Sequence, residues 1–218
     1  MRLIAASVTV ALGVAACGSP PLTPDAPLAP PSSPELPNPA RIDRVRQDLP
    51  AGFEAAPIDT RLSPIQLWGF GSDWAAEPAQ CAQLAAVAVD VATARGWSAS
   101  GPGGIVHAGV ARSTAPQDPA LPGHCEQWTV SGGHARGTVT AVAAPAIDGA
   151  RTVGMATTVT IVVEGGTETS MHADTFIADL DDYHCFIIAI TDPGAPNAGL
   201  TPGFASGLLV KTVTALRG

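Results

Sequence analysis

The sequence predicts an α+β domain: an antiparallel β-sheet of about five to six strands with helices packed on it, N-terminal helices ahead of the strands and a C-terminal helix behind them. Apolar residues at helical spacing come first, β-branched runs punctuated by Gly, Pro, Asn or Asp fill the middle, and a capped apolar stripe closes the chain. Helices gathered at the ends with strands between them give an α+β order rather than alternating βαβ units.

Asn38 is placed to cap a first helix, Pro39 suits its first position, and Ile42, Val45 and Leu49 recur at helical spacing before Pro50 and Gly52 stop it. Ser63-Pro64 opens a short second helix through Ile65, Leu67 and Trp68. A third is predicted from about Pro78 to Ala94, where Cys81, Leu84, Ala85, Ala88 and Val91 or Ala92 make one apolar stripe and Gly96 ends it. Ile105 to Ala111, Glu126 to Ser131, Thr138 to Ala144 and Thr157 to Val163 read as strands. Glu164-Gly165-Gly166-Thr167 reads as a tight hairpin turn, with a strand from Glu168 through Thr175 to Ala178 beyond it. Tyr183 to Thr191 is apolar on both faces and belongs in the centre of the sheet. Thr201-Pro202 caps the final helix, whose buried stripe is Phe204, Leu208, Leu209, Val213 and Leu216.

Hydrophobic residues make up 46% of the chain and aromatic ones 5%, so the core must be built mostly from Val, Ala, Ile and Leu. The net charge is −8 and Lys211 is the single lysine, which leaves no electrostatic footprint for nucleic acid. Arg41, Arg44 and Arg46 are interleaved with Asp43 and Asp48 and read as a solvated helix face.

The front of the chain carries an address. Arg2 is followed by an uncharged apolar run from Leu3 to Val14, of signal-peptide length. Val14-Ala15-Ala16-Cys17 resembles the lipobox of bacterial lipoproteins. That resemblance implies cleavage before Cys17, a diacylglyceryl thioether and acyl chains (palmitate and the like) on it, and residence at the extracytoplasmic face of the cell membrane. The expected organisation is a signal peptide over 1–16, a lipidated cysteine with a Pro-rich disordered stalk over 17–40, and one α+β domain over 41–218. Gly18 to Pro39 holds nine prolines, which favours extended polyproline-II backbone. At about 3.1 Å per residue such a spacer lifts a domain as much as roughly 70 Å from the membrane.

With Cys17 lipidated, Cys81, Cys125 and Cys185 remain for an oxidising compartment. Loop-closure entropy does not choose among the pairs; position favours Cys81–Cys125, with Cys185 a buried thiol in the most apolar strand. The alternative, Cys185 in the bridge, would pin the helix to the central strand.

Asp48-Leu49-Pro50-Ala51-Gly52-Phe53-Glu54, Leu67-Trp68-Gly69-Phe70-Gly71, Asp73-Trp74 and Glu77-Pro78-Ala79-Gln80-Cys81 resemble an uncharacterised domain family of mycobacterial and related actinobacterial lipoproteins. So do Glu126-Gln127-Trp128-Thr129, Val163 to Thr169, Thr191-Asp192-Pro193-Gly194 and Leu208 to Val213, so the resemblance runs from Arg41 to the end. It implies no reaction and carries over no catalytic residue. The family is distantly similar to the extracellular sensor domains of mycobacterial receptor Ser/Thr kinases, which share a helix-borne cysteine and a Cys-x-x-Trp segment, here Cys125-Glu126-Gln127-Trp128. Those domains typically have two cysteine pairs where this chain has three cysteines beyond Cys17.

Catalytic constellations are sparse. Gly96-Trp97-Ser98-Ala99-Ser100 lacks the second glycine of a nucleophile elbow, and no serine stands three residues before Lys211. His107, His124, His134, His172 and His184 are dispersed without metal-ligand spacing. His184 near Asp181 and Asp182 fits a solvated turn better than a cation site, and Glu164 and Glu168 flank a hairpin as solvated acids. Trp68, Trp74, Trp97 and Trp128 are the candidate ligand-binding residues: they either line an apolar cleft or supply bulk to an alanine-rich core. The expectation is a non-enzymatic envelope lipoprotein with a ligand-binding or sensor-like domain, without cofactor or metal, whose partners are the membrane through its anchor and a lipid, cell-wall or protein ligand. The alternative is an accessory lipoprotein that docks on another envelope protein.

Overall fold

The computed structural model describes residues 36–58, 63–163, 165–191 and 200–218. The signal peptide, Cys17, nearly all of the stalk and Glu164 lie outside the described residues. Glu35–Gly218 form one compact unit.

The chain enters through a capped turn. Asn38 Oδ1 accepts the Ala40 amide at 3.1 Å, and Pro39–Asp48 wind as a 3-10 helix that buries Ile42 and Val45. One antiparallel sheet follows, of β1 (Glu54–Pro57), β2 (Trp74–Glu77), β3 (Val89–Gly101), β4 (Gly104–Ser113), β5 (Gln127–Gly132), β6 (Ala135–Val142), β7 (Arg151–Val162), β8 (Glu168–Leu180) and β9 (Tyr183–Thr191). Their order across the sheet is β1-β3-β4-β9-β8-β7-β6-β5-β2. Short helices α1 (Pro64–Leu67) and α2 (Leu121–His124), a 3-10 turn at Ala79–Leu84 and the long α3 (Pro202–Arg217) complete the described elements.

The α+β class holds, but the sheet has nine strands rather than about five to six. Two of the additional strands, β1 and β2, are four-residue edges rich in alanine, with little β-branched signal to announce them. The third addition is β3, and it replaces the second half of the helix expected to end at Ala94. Cys81, Leu84 and Ala85 are buried as the stripe requires, whereas Val91 is 57% exposed. From Trp97 onward β3 pairs residue by residue with β4, and this ladder outweighs the helical preference of scattered alanines.

Side-chain alternation sorts the sheet into two cores. Trp128, Val130, Val139, Met155, Val159, Ile177 and Ile188 face one side, under Ile65, Trp68, Cys81, Leu84 and Cys125. Trp97, Val106, Val110, Phe176, Leu180, Cys185 and Ile187 face the other, under Ile42, Val45 and the α3 stripe Leu208, Leu209, Val213 and Leu216. Strands β8 and β9 contribute to both cores, as expected of the Tyr183–Thr191 segment.

Local chemistry enforces this register. Gly165 and Gly166 have φ of 89° and 79°, a backbone that side chains resist, and they reverse the chain between β7 and β8. Gly109 lets β4 pass beside Phe186, because a Cβ there would meet the ring at 2.4 Å. Thr201 Oγ1 accepts the Phe204 amide at 3.2 Å and starts α3.

Cys81 and Cys125 form the disulfide, with Cα atoms 5.6 Å apart, and it ties the Ala79–Leu84 turn to α2. Cys185 is free and buried. Burial pushes its thiol up to about 12, with the negative charge of Asp179 adding to the effect. Among the described residues no helix is long and apolar enough to cross a membrane.

Breaking the bridge should be costly, since in the chain-entropy model a closed loop of this length contributes about 4 kcal/mol. The Cys81→Ser/Cys125→Ser variant should lose about 2–4 kcal/mol in urea unfolding, and Cys185 in the native protein should react with a thiol reagent only after denaturant is added.

Candidate functional site

The helical layers do not cover the whole sheet. Helix α3 lies over β8 and β9, and the Pro39–Asp48 helix over β3 and β4. On the same face the outward positions of β5, β6 and β7 carry polar side chains: Thr129 and Ser131, Arg136, Thr138 and Thr140, then Thr158 and Thr160. Pairing aligns them in rows, with Thr129 opposite Thr138 and Thr138 opposite Thr158, and with Ser131 opposite Arg136 and Arg136 opposite Thr160. Alternation explains the pattern, because each of these residues neighbours one that the opposite core buries. The result is a hydroxyl-floored groove of about 830 Å³, with Asp73 at its rim and Arg136 as its cation.

A smaller cleft of about 470 Å³ is lined by Ser113, Gln117, Arg151, Asp179, Asp182 and Tyr183. Its floor is a chain of charged groups. Arg151 donates to Asp179 Oδ2 from Nε at 3.1 Å and from a terminal nitrogen at 2.7 Å, to Gln117 Oε1 at 2.6 Å and to the Asp118 carbonyl at 3.1 Å. Behind it, His184 Nδ1 donates to Asp179 Oδ1 at 2.9 Å, since an ionised carboxylate can only accept. The two-residue turn Asp181-Asp182 sets this contact by pairing Asp179 with His184 across β8 and β9. Burial raises the Asp179 carboxyl, but hydrogen bonding and electrostatic attraction from His184 and Arg151 outweigh it and hold the group below its ordinary value. At the mouth Arg112 stacks over Tyr183, 5.5 Å from the ring centre.

Of the two readings of the tryptophans, cleft lining or core bulk, three of the four take the second. Trp68, Trp97 and Trp128 are 0%, 0% and 2% exposed, and Trp97 lies in the core opposite the other two. Trp97 Nε1 donates to the Ile42 carbonyl at 3.1 Å and Trp68 Nε1 to Thr175 Oγ1 at 3.0 Å. Trp74 is half-buried on edge strand β2 against the first core. The physical reason is volume: a core of valine and alanine on a long sheet needs large side chains to fill it, and the indoles fill it.

A family model described as a domain of unknown function, DUF5642, matches residues 38–217. The chain belongs to that family. The match spans the described domain almost end to end, and the DUF5642 fold has a solved counterpart. The X-ray structure of an uncharacterised protein from Mycobacterium smegmatis, an Rv0999 ortholog, aligns at TM-score 0.59 and 23% identity, covering 84% of this chain and 98% of that one. The extracellular domain of PknH from Mycobacterium tuberculosis aligns at TM-score 0.40 and 13% identity, covering 82% and 92%. No curated protein matches.

Among the described residues of this DUF5642 domain no group of three His, Cys, Asp or Glu could hold a metal. Among the described residues the Asp179–His184 pair leads to no hydroxyl or thiol nucleophile, because His184 Nε2, the atom such a group would bond, is buried without a hydrogen-bond partner. Sequence reading missed this network, although the segment from Asp179 to His184 encodes its hairpin half.

Because Asp179 titrates below its ordinary value, its contribution to stability is complete above the unfolded-state value near 3.9 and is lost as pH falls through the folded-state one. Asp179→Asn should cost about 1–3 kcal/mol at neutral pH, and its deficit against the parent should shrink toward pH 2 in urea titrations.

Proposed function

We propose that the chain is an exported lipoprotein, held at the extracytoplasmic face of the cell membrane by acyl chains on Cys17, whose domain binds a ligand without catalysing a reaction. The open hydroxyl-floored groove carries this reading. With α3 over β8 and β9 and the entry helix over β3 and β4, the polar side of β5, β6 and β7 stays open, and Arg136 and the threonine rows supply donors to an oxygen-rich ligand such as a cell-wall fragment or a lipid headgroup.

Two further observations support it. The lipobox-like Val14-Ala15-Ala16-Cys17 supplies the anchor site, and two or three buried acyl chains make such an anchor durable where one is marginal. The Cys81–Cys125 bridge suits an oxidising compartment.

Thermal unfolding of the detergent-extracted full chain with soluble peptidoglycan fragments and with short-chain phospholipid tests the groove. A ligand at a hundredfold excess over its Kd should stabilise the protein by about 2.7 kcal/mol. The Arg136→Ala/Thr138→Val/Thr158→Val variant should lose that shift; a shift retained in full by the variant excludes the groove. For the anchor, Cys17→Ala should move the protein from the membrane fraction to the soluble fraction.

A further inference from the structure

The polar rows of the groove do not stop at β7. The row through Thr129, Thr138 and Thr158 continues onto β8 at His172, which pairs with Thr158, and the row through Arg136 and Thr160 continues to Ser170, which pairs with Thr160. Directly paired residues of neighbouring antiparallel strands point to one side, so both additions share the face of the groove. The first row therefore crosses four strands, and at about 4.8 Å per strand its ends lie roughly 14 Å apart.

The helical cover over β8 ends where these rows arrive. Asp174, Phe176 and Leu180 are buried on this face, His172 is half-buried, and Ser170 is exposed. Asp174 stands at that margin, 2% exposed, and its Oδ1 lies 3.2 Å from His172 Nε2. A carboxylate only accepts, so Nε2–H is the donor and Nδ1 of the neutral ring is left as an acceptor. An interior carboxylate is unfavourable unless it is bonded, and among the described residues the side chain that bonds this one is His172, whose ring is 39% exposed.

We propose that the occupant of the groove is an extended glycan strand lying across β5 to β8, and that His172, held in place by Asp174, binds its sugar at the β8 end. This deepens the groove reading given above and rests on it. Three features choose a glycan over a compact headgroup. Groups strung in line at one strand spacing, close to the advance of one sugar along a linear glycan, suit a repeating chain, whereas a phosphate is bound by cations gathered at one point. Threonine hydroxyls both donate and accept, as sugar hydroxyls do, and Nδ1 of His172 adds an acceptor for a sugar O–H. Arg136 and Asp73 bring one charge of each sign to the groove, so it has no net attraction for an anion. Asp174 touches no ligand in this arrangement; it is a positioning residue that fixes the tautomer of the ring.

Calorimetric titration of the detergent-extracted full chain with soluble N-acetylglucosamine oligomers tests this, with glycerophosphate as the headgroup probe. Affinity should rise from the disaccharide to the tetrasaccharide and level off by the hexasaccharide, as the four strands become occupied. His172→Ala should weaken tetrasaccharide binding by about three- to tenfold, the net worth of one hydrogen bond, and His172→Asn, whose side-chain carbonyl stands in for Nδ1, should restore most of it. In the parent protein the Nδ1 resonance of His172 should shift when tetrasaccharide is added. Asp174→Ala should mix the two ring tautomers in the same spectrum and weaken the tetrasaccharide as much as His172→Ala does. Unchanged tetrasaccharide affinity in His172→Ala, with the loss confined to the Arg136→Ala/Thr138→Val/Thr158→Val variant, overturns the β8 extension and leaves the groove reading standing. Binding of glycerophosphate alone overturns the glycan and also leaves the groove; binding of neither probe removes the groove reading and this inference together.

Discussion

Over Ala173–Ala178 of β8 and His184–Ala189 of β9 neither face is left for water, and the remaining architecture answers that constraint. Ile177, Phe186 and Ile188 point into one core, while Phe176, Leu180, Cys185 and Ile187 point into the other. A sheet apolar on both sides at its middle needs a cover on each side, and this chain makes the two covers differently. The α3 side uses a long amphipathic helix with the entry helix beside it. The opposite side uses three short turns of helix, too small to hold themselves in place, and a disulfide that fastens two of them together.

Most of this was legible where one physical signal dominated. The capped starts at Asn38 and Thr201, the Gly165-Gly166 reversal, the doubly buried Tyr183–Thr191 strand and the Cys81–Cys125 bridge were all readable in the residues, because capping, positive φ and apolar runs are local. The first three strands were not. Val89 to Ala94 carries enough alanine to suggest a helix, and its strand character comes from a partner that continues to Ser113. Alanine prefers a helix only weakly, so a ladder of long-range hydrogen bonds overrides it.

The site was less legible than the fold. The aromatic residues that drew attention are committed to packing, and the groove is floored by threonines whose sequence signature is the one any solvated strand shows. The charged chain from Gln117 through Arg151 and Asp179 to His184 joins segments far apart in sequence. Its hairpin half is local, but nothing local marks Arg151 as the partner of Asp179.

The margins of the sheet carry a different implication. Each outermost strand is four residues long, and β1 ends in Pro57, which has no amide hydrogen to offer. An approaching polypeptide finds too short a template there to extend the ladder, which guards against lateral polymerisation.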